Sequence, residues 1–547
     1  MRTSTKKNIL IAAGYSVVLM AGLFLGPKLV LENQDSGSDS FMTSVFPDRS
    51  SKVEKVMRII NENYVDSVEI DTVEGMAIHE ILEHLDPHSA YLAPEDAQVL
   101  SDDLEGNFNG IGIEYYILND TLLITSVNQG GPAFKAGLKH GDKILAINNK
   151  SVAGLGISPK NVVDQIRGKR GSIVELLIKR DTLRKRFNVL RDKITITSID
   201  AAYRISEQVG YIKISRFGAR TDEDFHSSLM KLKKQGMKSL ILDLRDNRGG
   251  YLNSATALAD EFLRNRELIV YTQGLHEPRT DYYASSKGDF EDGKLVILID
   301  ENTASASEII AGAVQDLERG VIIGRRSFGK GLVQEQFDFG DGSALNLTTA
   351  RYYTASGRSI QKPYKKGNAA YYDEVKNRFS NGELSSDGKR ITDSLYNKKQ
   401  AFTTKSGKIL YGGGGIMPDI YVPVDTSSYS EAFYDLAAKG VLNDILFNHL
   451  VQQNSAYSNP EELLTAFKLS DSDIKRLSQM AAGKGVKVTE AQIKTSKSEI
   501  ENQLKALMAR YYFGDEGFYK VLNSSDMVIS RSLEVLKDLP AKKIVIE

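Results

Sequence analysis

The stretch LVILIDENTASASEII, residues 295–310, decides how the central part of this 547-residue chain folds. Its aliphatic start, Leu295–Ile299, predicts a buried strand, and the run from Ser305 to Leu317 predicts a helix. Ser305 would then lie at a strand-to-helix turn, beside unpaired N–H groups that can stabilise a developing oxyanion. Ser305 and Glu308 also fit a capping box, and taken alone the segment favours this purely structural role.

Strands and helices alternate on both sides of this turn. The sequence predicts strands at 211–214, 240–244, 321–323 and 420–424 and helices at 222–236 and 252–262. Such alternation is typical of β-β-α or β-α-β units that cover a sheet with helices. We therefore expect an α/β core from Ile194 to about Val424, interrupted after Tyr364 by a polar stretch that contains a helix and loops.

A lysine between two glycines follows the strand at 321–323. Lys330 stands between Gly329 and Gly331 in an otherwise apolar, turn-prone stretch. Burial would disfavour its charged form and lower its pKa, which would let the amine accept a proton from a serine. Gln334 could orient that amine without adding charge. A solvated surface lysine is the alternative, and the pattern Gly-x-x-x-x-Gly-Lys-Ser/Thr of a phosphate-binding loop is missing.

A polar turn with two glycines ends the strand at 240–244. The segment reads LDLRDNRGG over residues 242–250. The backbone N–H of Gly249 or Gly250 would make a second oxyanion donor, because a side chain would obstruct that approach. A plain loop is equally consistent with this segment alone.

Residues from Gly106 to about Arg180 alternate between short strands and glycines. They resemble a PDZ domain, and the run AGLKHGD at 136–142 is a fairly specific mark of one. In PDZ domains a glycine-containing loop binds a peptide's terminal carboxylate, and the peptide adds to the sheet as a strand. The residues that match this loop are Gly110, Ile111, Gly112 and Ile113. An ordinary β-hairpin with tight turns is the alternative.

The N-terminus has the layout of an export signal. Arg2, Lys6 and Lys7 precede an uncharged, mostly apolar run from Ile9 to about Gly26. The run is just long enough to cross a bilayer and no small-x-small cleavage site follows, so we expect an anchor in preference to a cleaved signal. Positive charge stays inside, which predicts a protein of the bacterial cell envelope, anchored in the inner membrane or secreted, that faces the periplasm.

Composition excludes several classes of function. Lys and Arg number 70 against 71 for Asp and Glu, and the net charge of -1 gives no electrostatic case for nucleic acid. The absence of cysteine excludes disulfides, thiolate catalysis and cysteine zinc sites. The 7 histidines show no ligand spacing, so we expect neither a metal nor another cofactor.

Taken together, these segments resemble the C-terminal processing peptidases, also called tail-specific proteases, which are serine peptidases with a Ser-Lys dyad. The resemblance covers about Lys52 to Val424. Its motifs are TASASEI at 303–309, GKG at 329–331, LDPHSAY at 85–91 and YTASGRSIQ at 353–361. Lys330 follows Ser305 at the spacing that the family expects of its base.

The resemblance implies roles for these residues. Ser305 would attack the scissile carbonyl, Lys330 would take its proton and pass it to the leaving amine, and Gln334 would hold Lys330. The implied backbone donors of the oxyanion hole are Ala306 with either Gly249 or Gly250. Arg167, late in the PDZ helix, is the candidate for coupling peptide binding to the active site.

The resemblance also implies a multidomain α+β protein with a crotonase-like peptidase core and an inserted PDZ domain. The expected domains are a signal anchor at 1–26, a linker at 27–49, an N-terminal helical region at 50–103, a PDZ domain at 104–190, a peptidase core at 191–424 with a polar insertion at 364–411, and a helical C-terminal domain at 425–547.

Substrates would be proteins or peptides with free C-termini. An adaptor or regulatory protein and a homo-oligomer are further possible partners, and the membrane would be contacted by the N-terminal segment. A latent or non-catalytic PDZ adaptor on the same scaffold is the alternative function. An acyl-CoA hydratase-type enzyme is disfavoured by the predicted compartment and by the PDZ domain.

Overall fold

The computed structural model describes residues 51–285, 288–385, 401–424, 431–451 and 457–539. The predicted anchor at 1–26 and the linker at 27–49 lie outside the described residues. Within the described ranges, no helix combines the length and the apolar composition needed to cross a membrane. The chain divides into two units at the boundary between Ile78 and His79.

Two helices open the described chain. Helix α1 (Lys52–Asn63) begins after Ser51, whose hydroxyl accepts the Glu54 N–H at 3.2 Å, and α2 is Ile70–Glu83. Both lie where the sequence predicts amphipathic helices. Three apolar residues at helical spacing on α1 remain exposed: Val53, Val56 and Ile59.

The next elements include the predicted PDZ region. They are β1 (Ala90–Leu92), α3 (Pro94–Glu105), β2 (Asn107–Gly110), β3 (Ile113–Leu118), β4 (Thr121–Val127), α4 (Pro132–Lys135), β5 (Lys143–Ile147), β6 (Lys150–Ser151), α5 (Pro159–Ile166), β7 (Ile173–Arg180), β8 (Leu183–Leu190) and β9 (Asp192–Thr195). One sheet has the order β3-β4-β5-β7-β8, with β6 paired to β5, so that β3 lies at an edge. Strand β8 was not among the sequence-predicted strands, although it pairs with β7 along its full length.

A second sheet carries the predicted α/β alternation. The elements along this part of the chain are β10 (Ile199–Arg204), β11 (Val209–Ile214), α6 (Thr221–Lys234), β12 (Ser239–Asp243), α7 (Leu252–Asp260), β13 (Leu268–Gln273), β14 (Thr280–Tyr283), β15 (Lys294–Ile299), α8 (Ala306–Asp316) and β16 (Val321–Gly324). The second sheet has the order β10-β11-β12-β15-β16-β21, where β21 is Ile420–Tyr421, and every pairing from β11 onward is parallel. Strands β13 and β14 belong to a third sheet. Because β12 and β15 are parallel neighbours, the turns that follow them lie together at one edge of the sheet.

The third sheet, which the sequence pattern did not predict, is formed by strands from distant parts of the chain. The further elements are β17 (Leu332–Asp338), β18 (Ala344–Thr354), α9 (Asn368–Ser380), β19 (Ala401–Thr403), β20 (Ile409–Tyr411) and β21 (Ile420–Tyr421). Strand β18 pairs antiparallel with β1, β13 and β17, and β13 pairs with β14. Strand β18 lies between β1 and β17, and so connects the turn before β1 to the strand that follows Lys330.

The described part of the C-terminal region is helical, as expected for the domain at 425–547. Its helices are α10 (Glu431–Ala438), α11 (Val441–Ile445), a π-helical turn (Leu446–Leu450), α12 (Pro460–Ala466), α13 (Asp471–Gly483), α14 (Glu490–Thr495), α15 (Lys497–Asn523) and α16 (Met527–Asp538). Their apolar core includes Leu118 and Leu123 of β3 and β4. Helix α16 packs instead on the second sheet, where Val528 and Ile529 share a cluster with Ile241 of β12.

Candidate active site

Ser305 occupies the turn between β15 and α8 that the sequence predicts. Its side chain is half-buried, and its backbone has φ 56° and ψ −118°, a left-handed φ that side chains other than glycine seldom adopt. Ala306 is the first residue of α8, so its N–H has no acceptor four residues earlier in the helix. The turn therefore presents a hydroxyl beside an unpaired backbone donor.

Glu308 links this turn to the loop that carries Lys330. The carboxylate is fully buried and accepts the Ser305 N–H at 2.9 Å. It also accepts the N–H groups of Gly329 at 2.7 Å and Lys330 at 2.8 Å, and the Ser327 hydroxyl. Burial raises the pKa of Glu308 from 4.5 to about 7, against the effect of these hydrogen bonds. Sequence reasoning gave Glu308 only a capping role, because its partners at 327–330 are distant along the chain.

Tyr352 makes a second connection between the same two segments. Its hydroxyl lies 2.7 Å from the Lys330 carbonyl oxygen and 3.2 Å from the Ser305 carbonyl oxygen. The ring is fully buried on β18, so the hydroxyl position is fixed by packing. Tyr352 was not predicted as a site residue, since a tyrosine in a strand carries no distinctive signal.

The Lys330 amine lies in a buried environment. Burial lowers the pKa of Lys330 from 10.5 to about 8, although the charges of Asp86 and Glu308 act in the opposite direction. Among the described residues, no carboxylate forms an ion pair with the amine. A lysine in this state can become neutral near physiological pH and then accept a proton.

His88 and Asp86 lie close enough to Lys330 for their charges to interact. Burial, followed by the charge of Lys330, lowers the pKa of His88 from 6.5 to about 3, which leaves the imidazole neutral. Its Nε2 lies 2.9 Å from the Tyr371 hydroxyl. The family-like motif at 85–91 therefore belongs to the surroundings of the candidate base.

Gln334 lies on β17 but does not hydrogen-bond to Lys330. Its amide nitrogen donates to Thr348 Oγ1 at 3.1 Å across the β17–β18 pair. The Thr348 hydroxyl in turn donates to Asp86 Oδ1 at 3.0 Å. Gln334 thus connects through Thr348 to Asp86, and not to the Lys330 amine as predicted.

The loop after β12 brings its first glycine against the serine. A Cβ atom on Gly249 would lie 2.7 Å from Ser305 Cβ and 2.9 Å from the Ala306 nitrogen, so only glycine fits there. The Gly249 N–H donates to the side-chain oxygen of Asn247 at 2.9 Å. Gly250 packs on Phe217 instead, where an added Cβ would lie 2.1 Å from the carbonyl oxygen.

Asn247 fixes this loop on the Ser305 turn. The residue is completely buried, and its amide nitrogen donates to the Ile214 carbonyl at 3.0 Å. Its own carbonyl accepts the Ala304 N–H at 3.0 Å and the Ser307 hydroxyl at 3.1 Å. Asn247 therefore sets the distance between the two candidate oxyanion segments.

The polar insertion after Tyr364 forms hydrogen bonds with the loop that carries Lys330. Arg378 of α9 is almost completely buried, and its guanidinium donates to the carbonyls of Arg326 and Ser327, both at 2.9 Å, and of Phe328 at 3.3 Å. Glu374, one turn earlier, accepts from Arg378 at 2.9 Å. The described part of the insertion therefore stabilises the loop that carries Lys330. It also contains the helix that the sequence predicts.

The predicted carboxylate-binding residues form a loop between β2 and β3. Ile111 is fully buried, its carbonyl accepts the Ala133 N–H at 2.9 Å, and Gly112 has φ 75°. Gly110 ends β2, and Ile113 starts β3 at the free edge of the sheet. The loop lies beside an edge strand, which is the arrangement needed for a peptide to add to the sheet.

Arg167 forms its ion pair and ring contact within the region around the predicted carboxylate-binding loop. It follows α5, where its guanidinium pairs with Asp102 at 3.2 Å and lies 4.2 Å from the centre of the Phe108 ring. Both partners precede the carboxylate-binding loop, on α3 and β2. The structure does not bring this predicted coupling residue to the candidate catalytic residues.

Known families match three parts of the chain. Residues 208–367 match Peptidase family S41, residues 123–180 match a PDZ domain, and residues 432–514 match a family of unknown function. The first match contains the turn of Ser305 and the loop of Lys330, and the second contains most of the sheet that begins at β3.

Relatives with curated names are proteases. The carboxy-terminal-processing protease of Bartonella bacilliformis is 34% identical over 352 residues, which are 63% of this chain and 80% of that protein. The probable CtpA-like serine protease of Staphylococcus aureus is 33% identical over 312 residues, which are 57% of this chain and 62% of that protein. Among solved structures, the photosystem II D1 C-terminal processing protease is 28% identical, with a TM-score of 0.32, over 56% of this chain and 89% of that chain.

The S41 peptidase domain and the PDZ domain define a serine-type protease. The chain belongs to the carboxy-terminal-processing proteases of family S41.

Proposed function

We propose that Ser305 is the nucleophile and Lys330 the general base of a protease that cleaves protein substrates near their C-termini. The observation that carries this proposal is the double connection of their segments, by the Glu308 carboxylate and by the Tyr352 hydroxyl. Two buried groups that fix the same pair of loops keep serine and lysine in one arrangement. The lowered pKa of Lys330 is what a lysine base needs.

In this proposal the neutral Lys330 amine removes the Ser305 hydroxyl proton as Oγ attacks the scissile carbonyl. The resulting oxyanion is stabilised by the Ala306 N–H together with the N–H of Gly249 or Gly250. Lys330 then returns the proton to the leaving amine, and the acyl-enzyme is hydrolysed by water. Glu308, Tyr352 and Asn247 touch none of the reacting atoms and act as positioning residues.

The PDZ domain would select the substrate. We propose that the backbone of Gly110–Ile113 binds the substrate's terminal carboxylate and that the peptide extends along β3. The substrate class is therefore a protein with a free, apolar C-terminus. We further propose that the core is crotonase-like and that the domains have the limits given above. The protein would lie in the cell envelope, with an anchor at 1–26. Arg167 would have a regulatory role.

One observation favours a latent enzyme as the second candidate. The Gly249 N–H is already bonded to Asn247, so that this donor reaches an oxyanion only after its peptide group rotates. Gln334 is likewise bonded to Thr348 and does not hold the amine. An adaptor protein, or a second copy of the chain, would be the activating partner in this case.

The test is cleavage of an unstructured protein that ends in apolar residues, followed by intact mass spectrometry. The parent protein is compared with Ser305→Ala, Lys330→Ala and the control Lys365→Ala, which removes an exposed lysine. We expect cleavage by the parent and the control and a loss on the order of a thousandfold or more in the other two. Equal cleavage by all four proteins would refute the assignment. Binding without cleavage by the parent would favour the latent form.

A further inference from the structure

Asp86 is a buried carboxylate in the turn before β1, a strand of the sheet that contains β18. Its Oδ1 accepts the N–H groups of His88 at 2.8 Å and Ser89 at 3.0 Å, and its Oδ2 accepts the Ser89 hydroxyl at 2.6 Å. The side chain is therefore fixed by its own turn. A carboxylate that only capped this turn would need no further hydrogen-bond donor.

A fourth hydrogen bond extends from this turn to the strand beside the candidate base. The Thr348 hydroxyl donates to Asp86 Oδ1 at 3.0 Å and accepts the Gln334 amide N–H at 3.1 Å. The Thr348 backbone N–H also donates to the Ser89 hydroxyl at 3.1 Å. Gln334 lies on the strand that begins two residues after Lys330, so this chain of bonds connects Asp86 to the strand that follows the base.

The charge of Asp86 acts on Lys330 as well. Asp86 is the foremost group that favours the charged form of the amine, against the opposing effect of burial. Several ionisable groups face this region from the surrounding elements: Glu308 of α8, His88 of the same turn, Tyr352 of β18, Tyr371 and Tyr372 of α9, and Lys362, which is paired with Glu374. Burial lowers the pKa of Lys362 to about 8. The Lys362 amine therefore also loses its proton, and its positive charge, at alkaline pH.

We propose that Asp86 and Thr348 are positioning residues of the Ser-Lys site: Thr348 connects the Asp86 carboxylate to Gln334 on the strand that follows Lys330, and the carboxylate places a negative charge near the Lys330 amine. This inference rests on the proposed function of Lys330. It assigns the turn before β1 to the catalytic machinery, with two separable effects, one of charge and one of alignment.

The effect of charge is tested with Asp86→Asn, which keeps an oxygen for the three donors on Oδ1. Without the negative charge, the ammonium form of Lys330 is less stable, and the amine loses its proton at lower pH. The acidic limb of the kcat/KM profile is expected to move down by about one pH unit. The matched control is Asp373→Asn, which removes an exposed carboxylate from α9 and should leave the profile unchanged.

The effect of alignment is tested at Thr348. Thr348→Val removes the bond to Gln334 but not the charge, so we expect kcat to fall about tenfold or more while the acidic limb stays in place. Thr348→Ser keeps the hydroxyl and should retain the parent rate. This pair also carries the test if Asp86→Asn does not fold, as judged by circular dichroism.

Each part of the inference has its own contrary result. An Asp86→Asn profile that superimposes on the parent profile would overturn the role of the charge. A parent-like kcat in Thr348→Val would overturn the role in alignment. Full activity of Lys330→Ala in the same assay would instead overturn the proposed function itself.

Discussion

At the scale of single residues, Ser305 has a backbone conformation that costs energy. A non-glycine residue at φ 56° and ψ −118° is strained by about 1–3 kcal/mol. Hydrogen bonds hold it from both sides, through Glu308 on its N–H and Tyr352 on its carbonyl oxygen. These hydrogen bonds keep the residue in a conformation that it would otherwise seldom adopt.

The strain predicts a difference between two inactive variants. Ser305→Gly removes both the hydroxyl and the steric conflict of Cβ, so we expect it to be more stable than Ser305→Ala by about 1 kcal/mol. Thermal unfolding of the two proteins measures this difference as a higher Tm for the glycine variant. A lower Tm for glycine would mean that the turn is not strained.

The pKa of Lys330 predicts how the rate depends on pH. Only the neutral amine can accept a proton, so kcat/KM should rise with pH and level off above the pKa of about 8. About one tenth of the amine is neutral at pH 7 and about one hundredth at pH 6. A rate profile that is flat from pH 6 to 9 would exclude Lys330 as the base.

At the scale of secondary structure elements, helix α9 determines the shape of the loop at 326–330. Arg378→Met removes the three guanidinium bonds to the loop carbonyls while keeping an apolar chain in the buried position. We expect a fall in kcat of about a hundredfold, because the lysine loop loses its fixed backbone. The control Lys376→Ala alters an exposed residue of the same helix and should keep the parent activity. Parent activity in Arg378→Met would show that the loop holds its shape without α9.

The elements also show what a sequence can predict of this site. The turn at Ser305 and the glycine pair around Lys330 are local patterns that mark both residues as candidates. Each segment alone also fits a structural role, so their catalytic assignment comes from the family resemblance and stays a prediction. The sheet that contains β18 was not predictable, because β18 has no regular alternation and its partners β1, β13 and β17 come from distant parts of the chain. Asp86 and Glu308 could be assigned only ordinary turn and cap roles, since their decisive partners are set by long-range pairing.

At the scale of the whole molecule, the C-terminal helices bind to two other parts of the chain. Asp526 pairs with Arg245, whose segment leads from β12 into the loop of Gly249, at 2.6 Å. Tyr116 of the PDZ region donates to Asp444 at 2.9 Å. The helices therefore connect the peptide-binding region to the loop of the candidate oxyanion hole.

Two substitutions at Asp526 distinguish its ion pair with Arg245 from its capping of α16. Asp526 also accepts the N–H groups of Val528 and Ile529, so Asp526→Asn keeps the cap and loses the charge, whereas Asp526→Ala loses both. We expect destabilisation of about 1 kcal/mol for asparagine and about 2 kcal/mol for alanine. Hydrogen exchange of the α16 amides measures both values, and equal protection in the two variants and the parent would contradict this assignment.

The burial of Leu118 and Leu123 beneath the C-terminal helices has a calorimetric consequence. Any motion that separates the PDZ region from those helices exposes apolar side chains to water, and such exposure carries a positive change in heat capacity. Peptide binding by itself buries apolar surface and lowers the heat capacity. The heat capacity of peptide binding, obtained by titration at several temperatures, therefore distinguishes a PDZ domain that stays docked, with a clearly negative value, from one that is released, with a value near zero or above.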